Sequence, residues 1–194
     1  MQKLVSLVFF SIISLVIYAQ NPDINLLKSI NNNRNKSFDK GFQFLSNSVS
    51  PISISTPIIL YSAGIIHQNK TIKEKALYIG EATLAAAIIS TSLKYSINRE
   101  RPFEKYPNEI EKAGDAGSPS FPSGHTSSAF STATSLSIAF PKWYVIVPSY
   151  AWASSVAYSR MHLGVHYPSD VLTGAIIGAG TAYLTHYINK KIRK

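Results

Sequence analysis

Apolar residues in this chain come in blocks about as long as a helix, and no stretch alternates with the period of a strand. Five such blocks cover residues 51–66, 76–97, 125–140, 143–158 and 170–188, separated by Gly, Pro or polar breaks. Each predicts a helix, and each comes near the ~20 residues that cross a bilayer, several on the short side. The third and fourth blocks are rich in Ser and Thr. That composition suits helix contacts inside a membrane bundle and a soluble helical core alike. Residues 22–50 carry a different pattern. Ile24, Leu26, Leu27, Ile30, Phe38, Phe42, Phe44 and Leu45 are interleaved with Asn, Lys and Asp. The spacing predicts two short amphipathic helices around the polar run Asn31–Lys36, lying on a membrane surface or packed on the bundle. The expected fold class is all-α: a bundle of five core helices plus short N-terminal amphipathic helices, embedded in a membrane.

The first block of all, residues 4–17, differs again. Lys3 precedes it, and Tyr18-Ala19-Gln20 offers a cleavage point before the turn-prone Asn21-Pro22. This reads as residues 1–19 forming a signal peptide, with an uncleaved N-terminal anchor as the alternative, and residues 20–194 forming one domain. Both readings export the segment that follows.

Charge sharpens the arrangement. The 194 residues hold 19 Lys and Arg against 10 Asp and Glu, a net charge of +9, and no cysteine. Disulfides, thiol catalysis and thiolate metal sites are excluded. The excess of cations calls for an anionic partner. Lys70, Lys73 and Lys75 lie between blocks one and two, Lys142 between three and four, and Lys190, Lys191, Arg193 and Lys194 after block five. In an up-and-down bundle these places share one end, which the positive-inside rule makes cytoplasmic. The segments 98–124 and 159–169 then share the opposite, outer end.

That outer end collects the candidate chemistry. Lys94 closes block two, and Arg101-Pro102 follows in KYSINRERP. Ser123, Gly124 and His125 open block three within FPSGH. Arg160, His166 and Asp170 lead into block five within SRMHLGVHYPSD. Three cations that repel one another want an anion between them, and guanidinium forks match phosphate oxygens. A Ser-Gly helix start adds backbone donors, close backbone approach, and a hydroxyl that caps the helix or binds the anion. His166 and Asp170, four apart, suit a carboxylate that takes one imidazole proton and leaves the other nitrogen nucleophilic. His125 suits the acid and then the base of a two-step phosphoryl transfer. The expected site is therefore catalytic His166, His125 and Asp170, with Lys94, Arg101, Ser123, Gly124 and Arg160 on the phosphate, no metal and no cofactor.

These motifs resemble the signature of the phosphatidic acid phosphatase type 2 and vanadium haloperoxidase superfamily. Its pattern is Lys, six residues, Arg-Pro; Pro-Ser-Gly-His; then Ser-Arg, five residues, His, three residues, Asp. Lys94, Arg101, Pro102, Pro122 to His125, Ser159, Arg160, His166 and Asp170 match every element. The resemblance implies a helical bundle and metal-independent hydrolysis of phosphomonoesters or diphosphates, with the residue roles just given. The run HYPSDVLTGAIIGAG resembles the lipid-phosphatase branch more than the soluble acid phosphatases. The expected partner is a phosphorylated lipid at the outer, periplasmic face of the membrane, and no nucleic acid. The alternatives are a soluble periplasmic acid phosphatase, a vanadate-dependent haloperoxidase and a non-catalytic anion-binding membrane protein.

Other residues carry weaker signals. His162, four before His166, reads first as a loop histidine and second as a pocket residue. Glu81, inside block two, has no assigned role. Arg99, Lys105 and Lys112 are offset by Glu100, Glu104, Glu109 and Glu111, so residues 98–124 read as a headgroup-facing or solvated loop.

Overall fold

The computed structural model describes residues 20–192. The expected signal peptide or anchor (1–19) and the terminal Arg193 and Lys194 lie outside the described residues. Eight α-helices run in chain order: α1 Gln20–Asn32, α2 Asp39–Asn47, α3 Val49–Ile66, α4 Lys70–Ile97, α5 Pro102–Lys105, α6 Gly124–Ala139, α7 Trp143–His162 and α8 Pro168–Ile192. A 3₁₀ turn, Lys36–Phe38, precedes α2. The five long helices α3, α4, α6, α7 and α8 are the five predicted blocks. Only the four-residue α5 was absent from the sequence pattern.

Helix α6 is the axis of the bundle. It packs against α8, α7, α4 and α3, and nine of its sixteen residues are buried. Its hydroxyls explain how so polar a helix sits inside. Thr132 donates to Ser53 on α3 at 2.9 Å, and Thr134 pairs with the Tyr150 hydroxyl on α7 at 2.9 Å. Thr181 of α8 lies 3.5 Å from Ser131. Small residues set the α6–α8 approach. A Cβ on Gly174 would meet the Ser123 carbonyl at 2.6 Å, and one on Gly178 would run into the Ser127 carbonyl. The pair Gly174 and Gly178 is the small-xxx-small spacing that lets two backbones come together.

The exterior is apolar in turn. Ile54, Ile58, Ile59 and Ile66 on α3, Leu84 and Ile88 on α4, and Leu172 and Ile176 on α8 are all exposed. Three helical stretches are long and apolar enough to cross a membrane: Lys36–Ile66, Lys70–Lys105 and Pro168–Ile192. Helices α6 and α7 are not among them. Helix α6 has only sixteen residues, and its neighbours shield much of it from whatever surrounds the bundle.

Helices α1 and α2 settle on the bundle, the second of the two arrangements their pattern allowed. Ile24 and Leu27 of α1 are buried with Ile110 and Tyr167. Phe42 of α2 packs on His162 with the rings tilted by 41° and their centroids 4.2 Å apart. Leu26, Phe38 and Phe44 remain exposed on the other face.

The segment joining α4 to α6 keeps Glu100, Glu104, Lys105, Glu109, Glu111 and Lys112 exposed, as a solvated loop would, but is anchored to the bundle at several points. Phe121 and Ile110 are buried. Ser120 N–H donates to the Arg99 carbonyl at 2.7 Å, and Ala113 N–H to the Leu163 carbonyl at 3.0 Å. Lys112 lies over the Phe103 ring at 4.6 Å. The exposed Glu111 of this segment pairs with Arg34, between α1 and α2, at 3.0 Å.

The two ends of the bundle differ as the charge pattern predicted. At one end Lys75 of α4 lies 4.4 Å over Phe140, and Tyr78 of α4 meets His186 of α8 edge-on at 5.6 Å. Lys70, Lys73, Lys142, Lys190 and Lys191 belong to helix ends there. The C-termini of α4 and α7 and the N-termini of α6 and α8 meet at the other end. Glu81 points toward the lysine-rich end and accepts from Asn189 at 2.6 Å.

Candidate active site

Four helix ends deliver the site, and each ends where it does for a local reason. Helix α4 stops at Asn98, which takes a left-handed conformation (φ 49°) and donates back to the Lys94 carbonyl at 2.9 Å. Helix α6 starts at Ser123, whose hydroxyl accepts from Thr126 N–H at 3.4 Å and pairs with the Thr126 hydroxyl at 2.9 Å. Ser123 thus caps α6, and the residue is fully buried. Helix α7 ends in a Schellman turn. Gly164, at φ +68°, sends its N–H to the Met161 carbonyl at 2.9 Å, and Val165 N–H reaches the Arg160 carbonyl at 3.1 Å. A Cβ on Gly164 would collide with the Glu111 carbonyl. This turn folds His166 back so that its own N–H also faces the Arg160 carbonyl, at 3.3 Å.

Helix α8 begins at Pro168, the favoured residue for a first helical position. Asp170, two residues on, turns its carboxylate back to the Tyr167 N–H at 3.0 Å, as the third residue of a capping box does. The same Oδ2 lies 3.3 Å from His166 Nδ1 and accepts the Ser120 hydroxyl at 2.5 Å. On the far side of the ring, Arg101 Nη1 lies 3.3 Å from His166 Nε2. These partners assign the tautomer: Nδ1–H donates to Asp170, and the Nε2 lone pair faces a cation. Asp170 and His166 are both at 1 % exposure or less. Finally, Ser123 N–H donates to the Asp170 carbonyl at 3.0 Å, joining the α6 and α8 starts.

The cations divide into two kinds. Lys94 Nζ donates to the Pro119 carbonyl at 2.6 Å. Arg101 donates to the Ser118 and Val165 carbonyls at 2.7 and 2.6 Å. Arg160 reaches the Ser46 hydroxyl and the Asp115 carbonyl, the latter at 3.2 Å, while its Nε is buried without a partner. Neutral acceptors thus hold these three in place. None makes an ion pair among the described residues, so their positive charge stays available to an anion. Arg99 is the other kind. It is clamped by Asp170 at 2.6 Å and Asp23 at 2.8 Å and lies 3.8 Å over the Tyr167 ring.

A cavity of about 220 Å³ opens beside the cluster, lined by Lys94, Gly124 and His125 with Val49, Ser50, Ala87, Ser90, Thr91 and Ser128. A Cβ at Gly124 would stand 3.7 Å from the Lys94 stem, in ordinary contact, which places this helix start beside the cation. Arg101, Arg160 and His166 are buried and are not part of its walls. The structure gathers the eight residues singled out from the sequence at one end of the bundle, with Lys94, Gly124 and His125 on the cavity and Arg101, Ser123, Arg160, His166 and Asp170 buried off it.

Four residues joined to the site lacked a sequence signal of their own: Asp23, Arg99, Ser120 and Tyr167. Arg99 corrects its expected role, since it faces inward to Asp170 and away from headgroups. His162 also has a defined partner. Its Nε2 lies 2.8 Å from Asp39 Oδ1, so it ties α7 to α2.

Burial pushes the His166 imidazole well below its usual range, to about 3, against the opposing pull of Asp170, with Arg160 and Arg101 adding to the depression. The ring is therefore neutral, as a nucleophile must be, through the neutral and mildly acid range. The unfolded chain takes up this proton near pH 6.5 and the folded chain does not, so stability falls as pH drops from 6.5 toward 3. Between pH 6.5 and 5 the loss from this one residue is expected to be about 2 kcal/mol. Thermal melts in detergent check it: His166→Gln, which has no proton to gain, should lose less stability on acidification than the parent.

The model of the PAP2 superfamily matches residues 75–194. The chain is 38% identical over 72 residues to Lipid A 4'-phosphatase of Bacteroides thetaiotaomicron, covering 37% of this chain and 32% of that one. It is 32% identical over 119 residues to decaprenylphosphoryl-5-phosphoribose phosphatase of Mycolicibacterium smegmatis, covering 60% and 61%. It spans between a third and three fifths of the length of these curated relatives. Among solved structures, LpxE of Aquifex aeolicus superposes with a TM-score of 0.74 at 27% identity, over 85% of this chain and 94% of that one. The transmembrane PAP2 type phosphatidylglycerolphosphate phosphatase of Bacillus subtilis shares the fold, with a TM-score of 0.78 at 24% identity over 99% and 98%. With its family model matched over more than half its length and every signature residue gathered at one end of the bundle, the chain belongs to the PAP2 superfamily.

Proposed function

We propose that this chain is a membrane-embedded, metal-independent phosphatase that hydrolyses phosphomonoesters or diphosphates of lipids at the outer face of the cytoplasmic membrane. The observation that carries the reading is His166, held by Asp170 at Nδ1 and facing Arg101 at Nε2, beside cations that no carboxylate neutralises. A phosphoryl group fits that vacancy of charge. Lys94, Arg101 and Arg160 bind its oxygens and stabilise the charge that spreads over them in the transition state. His166 Nε2 attacks phosphorus, the P–O bond to the leaving group breaks, and His125 supplies the proton that oxygen needs. Asp170 supports the positive charge that the ring takes on when the N–P bond forms. Water then attacks the phosphohistidine. His125 takes a proton from the water, the N–P bond breaks, and inorganic phosphate leaves.

The lipid part of the proposal rests on other observations. Exposed isoleucines and leucines along α3, α4 and α8 favour a bilayer over water. The lysine-rich end opposite the site favours an outward-facing site. The names of the relatives, lipid A and decaprenylphosphoryl phosphatases, point to lipid-linked phosphates. The test is phosphate release from a panel of lipid phosphates, lipid diphosphates and soluble phosphoesters, using detergent-solubilised protein with and without chelator. Turnover of the lipid substrates that survives chelation and is blocked by vanadate is expected. Release of the protein from membranes by salt alone, with turnover of soluble esters only, would favour a soluble acid phosphatase instead.

A further inference from the structure

The family match begins at residue 75, yet the charge network behind the nucleophile begins at residue 23. Asp23 of α1 is 6% exposed and makes three contacts across the molecule. Its Oδ1 accepts the Ser169 backbone N–H at 2.8 Å, and its Oδ2 accepts the Ser169 hydroxyl at 2.5 Å and Arg99 Nη2 at 2.8 Å. Arg99 in turn reaches Asp170 Oδ1 at 2.6 Å and Ser169 Oγ at 2.7 Å. Ser169 is the second residue of α8, so its N–H is one of the helix-start donors that need an acceptor. Tyr167, the residue before α8, has no side-chain oxygen placed to cap it. Asp23 supplies that cap from another helix. Ile24 and Leu27, buried against Ile110 and Tyr167, fix α1 where it does so.

The arrangement has an electrostatic consequence. Arg99 alone would neutralise Asp170 and leave His166 without net negative support as it becomes positive. Asp23 shares the guanidinium, so the set Asp23–Arg99–Asp170 holds two carboxylates against one cation. At this degree of burial, such a charge is felt strongly. We infer that Asp23 is a positioning residue for the phosphoryl transfer: through Arg99 and the α8 start it orients Asp170 and preserves its negative charge toward His166, making α1 part of the catalytic unit.

This rests on the phosphatase reading above, and the experiment separates the two. Asp23→Asn keeps an oxygen for Ser169 N–H and removes the charge; Asp23→Ala removes both. With a lipid phosphate in detergent micelles, Asp23→Asn is expected to lower kcat about tenfold, the scale of an outer-shell partner of a reacting group. KM should stay within about twofold, because Lys94, Arg101 and Arg160 are untouched. If Asp23 acts through Arg99, the same substitution in an Arg99→Ala background should cost no more than about a further twofold. Arg99→Lys serves in the same cycle if the alanine variant does not fold. Full kcat in Asp23→Asn with loss only in Asp23→Ala would reduce the residue to a helix cap and overturn the inference. So would losses that multiply in the cycle. A parent protein with no turnover, or one unaffected by His166→Ala, would overturn the phosphatase reading itself.

Discussion

Replacing His166 with alanine is expected to lower kcat by on the order of 10⁴-fold or more, the loss seen when a nucleophile is removed from a set of groups that act together. Substrate should still bind. Lys94, Arg101 and Arg160 are held by backbone carbonyls and a serine hydroxyl, and Arg101 keeps its two carbonyl partners when its contact with the imidazole is lost. KM for a lipid phosphate should therefore change little while turnover disappears. Steady-state phosphate release, with vanadate or phosphate binding as the control for an intact site, checks this. The fold should tolerate the change better than the chemistry does, since the variant removes a neutral ring.

Asp170→Asn is expected to have the second-largest effect, also on the order of 10⁴-fold in kcat, by analogy with loss of the orienting carboxylate in a catalytic triad. Asparagine can place its NH₂ toward Nδ1, which favours the tautomer carrying the proton on Nε2, the nitrogen that must attack. It also removes the charge that supports the ring as the N–P bond forms. Stability should fall as well. Removing one partner of a buried ion pair costs about 3–5 kcal/mol when the other is left alone. Here Arg99 keeps Asp23 at 2.8 Å, so the loss should lie at or below the lower end of that range. Kinetics together with a thermal melt separate the two effects.

Much of this architecture was legible in the sequence because it depends on local spacing. Helix α6 runs Gly124–Ala139 against an expected 125–140, and α8 runs Pro168–Ile192 against 170–188. Pro168 and Asp170 mark the α8 start by chemistry that any reader of helix termini can use. The grouping of Lys94, His125, Arg160 and His166 followed from their placement at alternate helix ends. Two things were not legible. One is the enclosure of α6 by its neighbours, which a window of residues does not reveal. Long-range pairing also left no trace. Arg99 meets partners 76 and 71 positions away, and in the sequence it stands among glutamates that suggest a solvated loop. Asp23 is, in the sequence, only one of the polar residues interleaved with the apolar positions of residues 22–50.

The account turns on a covalent bond between phosphorus and His166. The most direct measurement is rapid-quench trapping of the phosphoenzyme with a labelled substrate, followed by peptide mapping. The account predicts acid-labile, base-stable label on the peptide containing His166 in the parent protein, and none in His166→Ala. Label on another residue, or turnover with no trapped intermediate in a protein whose His166→Ala variant remains active, would contradict it.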